Sequence, residues 1–130
     1  MNNQIKEILG KYEEPEDDSG DAPADGYEAF QINRGGRPGM GFYIACKDGT
    51  LEGFMYHAIN HPKFQIRDGE EFLSFTHSGT AVVMSGTGLR RIFDALMRHT
   101  LSAIFEYDGQ PRNEGDAMVI RLSIKQAFPA

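Results

Sequence analysis

The chain has 130 residues, is 40% hydrophobic and 25% charged, the make-up of one globular domain with no room for a second of ordinary size. No apolar run reaches the ~20 residues of a membrane-spanning helix, and residues 1–10 lack the basic start and apolar stretch of a secretory signal, so the expected location is the cytosol. A single cysteine, Cys46, makes no internal disulfide and is too few for a thiolate zinc site, which fits a reducing compartment.

The net charge of −6 is unevenly spread. Residues 1–28 hold nine acids against Lys6 and Lys11, whereas residues 29–130 hold ten acids against eleven bases. At the N-terminus, Ile5, Ile8, Leu9 and Tyr12 fall at i, i+3, i+4 and i+7, which predicts a short amphipathic helix over 1–12 that needs a surface to dock on. Residues 13–26 read EEPEDDSGDAPADG, without one large apolar side chain. Such a segment buries too little surface to offset its ordering entropy, so it is read as a disordered acidic linker. Residues 27–130 form the single folded domain.

From Tyr27 the pattern changes to period two. Met40, Phe42, Ile44 and Cys46 alternate with Gly41, Tyr43 and Ala45, and Asp48-Gly49 predicts a two-residue hairpin turn into a run from Leu51 to Ile59. Pairing Lys47 with Thr50 sets Phe42 opposite Met55 and Tyr43 opposite Phe54, and it places Tyr43, Phe54 and Tyr56 on one face. Asp68-Gly69 and Ser78-Gly79 punctuate further short strands near 64–67, 70–77 and 80–84, with Phe75 opposite Val82 and Leu73 opposite Met84. Leu89, Ile92, Phe93, Leu96 and Met97 then form a helical stripe, predicting an amphipathic helix at about 87–99 with Ser85 or Thr87 as N-cap. Strands follow at 101–107 and 118–125 around a polar loop. The fold class is α+β: a largely antiparallel curved sheet or partial barrel of about six to eight short strands, with one helix before a C-terminal β-hairpin.

A single helix placed late among short strands resembles the OB-fold, in which a helix closes one end of a small barrel. That resemblance implies single-stranded nucleic-acid binding. Arg34, Arg37, Arg90 and Arg91, with Arg98 nearby in sequence, are the candidate anion-binding residues, and the acidic tail would mask them. Ser85-Gly86-Thr87-Gly88, between a strand and a helix N-terminus, has the layout of a backbone anion site, but it lacks the Gly-Lys-Ser/Thr ending of a phosphate loop and reads as a tight turn. His57 and His61 have the spacing of two metal ligands on a helix, but Ala58 stands where the zinc-protease pattern has Glu, and the segment reads as a strand end. No nucleophile elbow or spaced carboxylate pair is present, so no catalytic residue, cofactor or metal is assigned.

With a neutral body and an aromatic hairpin, the expected function is a small non-enzymatic cytosolic protein-interaction module, adaptor-like or inhibitor-like. Its candidate contacts are Tyr43, Phe54 and Tyr56 on the hairpin and Ile5, Ile8 and Leu9 on the N-terminal helix. The expected partner is another protein, with nucleic acid second, no membrane, and a homo-oligomer open; the alternative functions are an OB-like single-strand binder with an autoinhibitory acidic tail and, after it, a small metal-dependent enzyme.

Overall fold

The computed structural model describes residues 26–126. Ile5, Ile8 and Leu9, the predicted N-terminal helix and the linker up to Asp25 lie outside the described residues. Among the described residues the strands are β1 (Phe30–Ile32), β2 (Gly41–Ala45), β3 (Leu51–Met55), β4 (Ile59–Arg67), β5 (Glu70–His77), β6 (Thr80–Thr87), β7 (Leu101–Phe105) and β8 (Met118–Gln126), with one α-helix, α1 (Leu89–Met97), between β6 and β7. The domain is thus α+β, as its pattern predicts. The strands divide between two four-stranded sheets, ordered β1-β7-β2-β3 and β4-β5-β6-β8. All pairs are antiparallel except β2 with β7. The last strand runs antiparallel beside β6, while β7 joins the first sheet.

Three turns with similar sequences behave differently. Arg67 pairs with Glu70, and His77 with Thr80, across two-residue loops. Both residues of each loop are left-handed: Asp68 and Gly69 at φ 50° and 79°, Ser78 and Gly79 at 48° and 87°. This is the primed hairpin turn that matches strand twist. The first hairpin departs from the expected register. Its loop has three residues, closed by Cys46 N–H to the Thr50 carbonyl at 2.8 Å and Gly49 N–H to the Cys46 carbonyl at 2.9 Å, with Gly49 at φ 94°. Asp48 does not take the left-handed conformation; its carboxylate accepts the Thr50 N–H at 2.9 Å. One extra loop residue shifts the pairing by one, so Phe42 faces Phe54 and Tyr43 faces Gly53. A one-residue slip exchanges the faces of one strand relative to the other.

After β3 a 3-10 turn, Tyr56–Ala58, carries the chain from the first sheet to the second. The predicted strand to Ile59 therefore breaks there, and β4 begins earlier than expected, crossing a bulge between Asn60 and Lys63. Pro62 sits in that bulge on an edge strand, where its missing N–H costs no ladder bond.

Helix α1 buries Leu89, Ile92, Ala95 and Leu96, while Met97 at the end of the predicted stripe is 53% exposed. Neither Ser85 nor Thr87 caps it. Gly88 is the N-cap residue, at φ 68°, and the Leu89 N–H donates to the Glu71 carboxylate of β5 at 2.8 Å. At the other end His99 adopts φ 62°. The His99 N–H bonds the Leu96 carbonyl and the Thr100 N–H bonds the Ala95 carbonyl, a Schellman ending with histidine where glycine is usual. The His99 ring stacks on Tyr56, centroids 4.3 Å apart.

One core is shared by both sheets and the helix. Phe42 and Phe54 of the first sheet meet Phe75 of the second edge-on, at 6.0 and 5.5 Å. Two tyrosine hydroxyls add polar ties. Tyr56 donates to the Leu101 carbonyl at 2.7 Å. Tyr27 donates to the Phe105 carbonyl of β7 and accepts the Val119 N–H of β8 at 3.0 Å, so one phenol joins the two sheets.

Burial pushes both phenols up to about 12, from an ordinary value near 10. Between those pH values the unfolded chain has released protons that the folded chain retains. The stabilisation is complete below about pH 10 and lost as pH rises towards 12, at up to ~1.4 kcal/mol per pH unit for each tyrosine. Denaturant midpoints measured across this range should fall, and Tyr27→Phe should flatten the fall. An unchanged slope in that variant would show that Tyr27 is not a source of the alkaline sensitivity.

Candidate functional site

The register decides which side chains the first sheet presents to its outer side. Phe42, Ile44, Phe54 and Tyr56 point inward and are buried. Phe54 and Tyr56 therefore belong to the core, and the expected shared face of Tyr43, Phe54 and Tyr56 does not form. Tyr43 is left on the outer side at 40% exposed. Its companions there are Leu51 and Met55, at 66% and 41% exposed, with Phe105 edge-on to the Tyr43 ring at 6.1 Å. Leu51 and Met55 were missed because they fall on the opposite face in the two-residue register. The Asp48-Gly49-Thr50 spacing was the available signal, since an aspartate can accept the N–H two residues on and hold a different turn.

No outward position of this sheet is charged: Gln31 on β1, Gly41, Tyr43 and Ala45 on β2, and Leu51, Gly53 and Met55 on β3 surround Ala103 and Phe105 on β7. Gly53 leaves a flat place beside Tyr43, and a Cβ there would meet no atom within 4 Å. At the Ala45–Phe105 end the face opens into a groove of about 480 Å³. Its walls include Gln31, Cys46, Lys47 and Glu106.

Charged side chains gather in and beside that groove, with Glu28, Lys47, Glu106 and Asp108 on its walls. Glu106 accepts the Lys47 N–H at 2.9 Å. Thr50, through its backbone N–H and then its hydroxyl, holds the Asp48 carboxyl below the usual range. Burial pushes the Cys46 thiol up, and Asp48, Glu106 and Glu52 add to the effect. The thiolate is the reactive form, so this environment makes Cys46 a weak nucleophile.

The sheet edges limit how a partner could engage. At Met55, the end of edge strand β3, the outward N–H donates to Nε2 of His77 at 2.9 Å. The opposite edge, β1, has three residues. On β3 a partner strand would pair only with the stretch from Leu51 to Gly53, and the face offers the larger surface.

The four candidate anion-binding arginines do not converge. Arg34 and Arg37 lie in the loop before β2, which is tied to the C-terminal end of α1 by Asn33 N–H to the Thr100 carbonyl and Gly39 N–H to the His99 carbonyl. Arg90 and Arg91 sit at the opposite end of this nine-residue helix, about 13 Å away along its axis. Arg90 pairs with Asp94 at 3.2 Å, and Arg91 donates to the Gly115 carbonyl at 3.0 Å. The Ser85–Gly88 segment is not an open anion loop, because Glu71 already takes the first helical N–H. His57 lies in the 3-10 turn and His61 in the β4 bulge. Among the described residues no group of three or more His, Cys, Asp or Glu is placed to hold a metal ion.

Among the described residues no helix is long and apolar enough to cross a membrane. Comparison with protein-family models, curated proteins and solved structures finds no match to this chain.

Proposed function

We propose that this domain is a non-enzymatic, cytosolic protein-interaction module that seats another protein on the outer face of its first sheet. One observation carries the reading: Tyr43, Leu51, Met55 and Phe105 share a sheet face without a charged position. A contiguous exposed apolar surface of this kind marks an interaction site more often than bare solvent contact. Tyr43 supplies the rigid aromatic anchor typical of interface centres, and Met55 the adaptable contact. The arginines of the nucleic-acid alternative divide between the two ends of α1, with Arg34, Arg37 and Arg98 at one and Arg90 and Arg91 at the other, so the apolar face is the better-supported contact.

Gly53 provides a test that spares the core. Gly53→Glu places a charge in the middle of the face at a position where a Cβ meets no atom within 4 Å, and Tyr43→Ser removes the anchor. The full-length protein, used as bait in extract of its own cells, should capture a partner that both variants lose, with melting temperatures near the wild type. Retention of the same partner by both variants would exclude this face as the contact.

A further inference from the structure

The two sheets differ in electrostatic character. Residues 26–126 contain eleven acids and eleven bases, yet four of those bases face one way on the second sheet. Pairing sets Lys63 opposite Ser74, Arg67 opposite Glu70, Arg121 opposite Ser85 and Lys125 opposite Ala81. These positions alternate with the inward Phe64, Leu73, Met84 and Val82. All four basic residues are exposed. Arg67 lies over the Phe72 ring at 5.2 Å, and Arg121 approaches Glu70 at 3.7 Å with both side chains in solvent. Glu70 is the single acid among the outward strand positions, which leaves the face at +3.

We infer that this basic face is the docking surface for the chain's own acidic segment, Glu13 to Asp25. Charge complementarity is the first argument. The segment carries Glu13, Glu14, Glu16, Asp17, Asp18, Asp21 and Asp25 and no base. Reach is the second. Gly26 precedes Tyr27, whose hydroxyl accepts the Val119 N–H of β8, and Arg121 is two residues farther along that strand. From Val119 to Lys125 the strand advances about 20 Å. Thirteen residues span up to ~45 Å when extended, and about 20 Å root-mean-square as a coil. The attachment point, Gly26, lies in the groove beside Lys47 and Glu106, which also border Arg121, so the segment is long enough to reach across the face. Tethering makes the encounter intramolecular, with an effective concentration in the millimolar range for a short linker.

The four bases are exposed, so the contact is governed by salt: the screening length falls from about 10 Å at 0.1 M to about 3 Å at 1 M. The segment then holds the face against other polyanions. An aromatic platform for single strands is poorly developed there, because Phe72 is covered by Arg67. This inference concerns the second sheet and stands apart from the contact proposed for the first.

The test uses the full chain. A nitroxide is attached at position 19 as Ser19→Cys in a Cys46→Ser background. At low salt it should selectively broaden amides around Lys63, Arg67, Arg121 and Lys125. The broadening should disappear in 1 M salt. Unchanged intensities over these strands, or broadening centred on Tyr43 and Leu51, would overturn the proposal. A second arm needs no cysteine change. With the seven acids replaced by their amides, the protein should bind an oligodeoxythymidylate more tightly at low salt than the wild type does. Reversing the four bases should abolish that gain. Equal binding by the wild type and the amide variant would overturn the docking and leave the face to nucleic acid or to solvent.

Discussion

Gly86→Ala should cost the domain ~3 kcal/mol or more, the upper part of the range for an overpacked site, and should lower its denaturation midpoint accordingly. A methyl at this position would lie 1.9 Å from the Met118 carbonyl oxygen and 3.1 Å from the Ile120 nitrogen. The obstruction is backbone of the neighbouring strand, so no rotamer change relieves it. The close approach arises where the β6–β8 register shifts between Ser85 and Gly86. Ile120 is the extra residue there, left without a pairing partner and 45% exposed. Gly53→Ala is the matched control, since a methyl there meets nothing within 4 Å. It should be neutral or stabilising by about 0.5 kcal/mol, through reduced freedom of the unfolded chain. Equal losses in the two variants would show that strand propensity, not the β8 contact, sets the cost.

Leu96→Ala should destabilise by ~2 to 5 kcal/mol, because the cavity it leaves is walled by packed side chains. Leu96 is 2% exposed and shares its face of α1 with Leu89 and Ile92, both fully buried. Arg98, the C-cap residue, is exposed. Arg98→Ala should change stability by less than ~1 kcal/mol, as surface charges usually do. A urea titration of both variants distinguishes them, and similar midpoints would mean that the helix is not anchored through Leu96.

Much of the fold follows from local chemistry. The stripe from Leu89 to Leu96 is a helix in any context that offers it a core, and Asp68-Gly69 and Ser78-Gly79 close their hairpins in the expected register through left-handed turn residues that match strand twist. The same reasoning fails at Asp48-Gly49. There Asp48 accepts the Thr50 N–H, and the Lys47 N–H finds the Glu106 carboxylate, 59 residues away in sequence. No local propensity contains that second contact. Its consequence is large, because one residue of register sends Phe54 inward and Leu51 outward.

The sequence by itself determined most of the strands, the amphipathic helix α1, two of the three hairpin registers and the separation of an acidic end from a neutral body, but not the short β1 or the 3-10 turn that ends β3 at Met55. Only the tertiary structure decided how the strands divide into two sheets, which carboxylate caps the helix, and which residues share a surface. The physical reason is that periodicity states how side chains alternate along one strand, whereas a face is a property of several strands at once. Tyr43, Leu51 and Phe105 become neighbours through β2–β3 and β2–β7 pairing. Lys63, Arg67, Arg121 and Lys125 become a single charged face through the β4-β5-β6-β8 order, which spans more than sixty residues of chain.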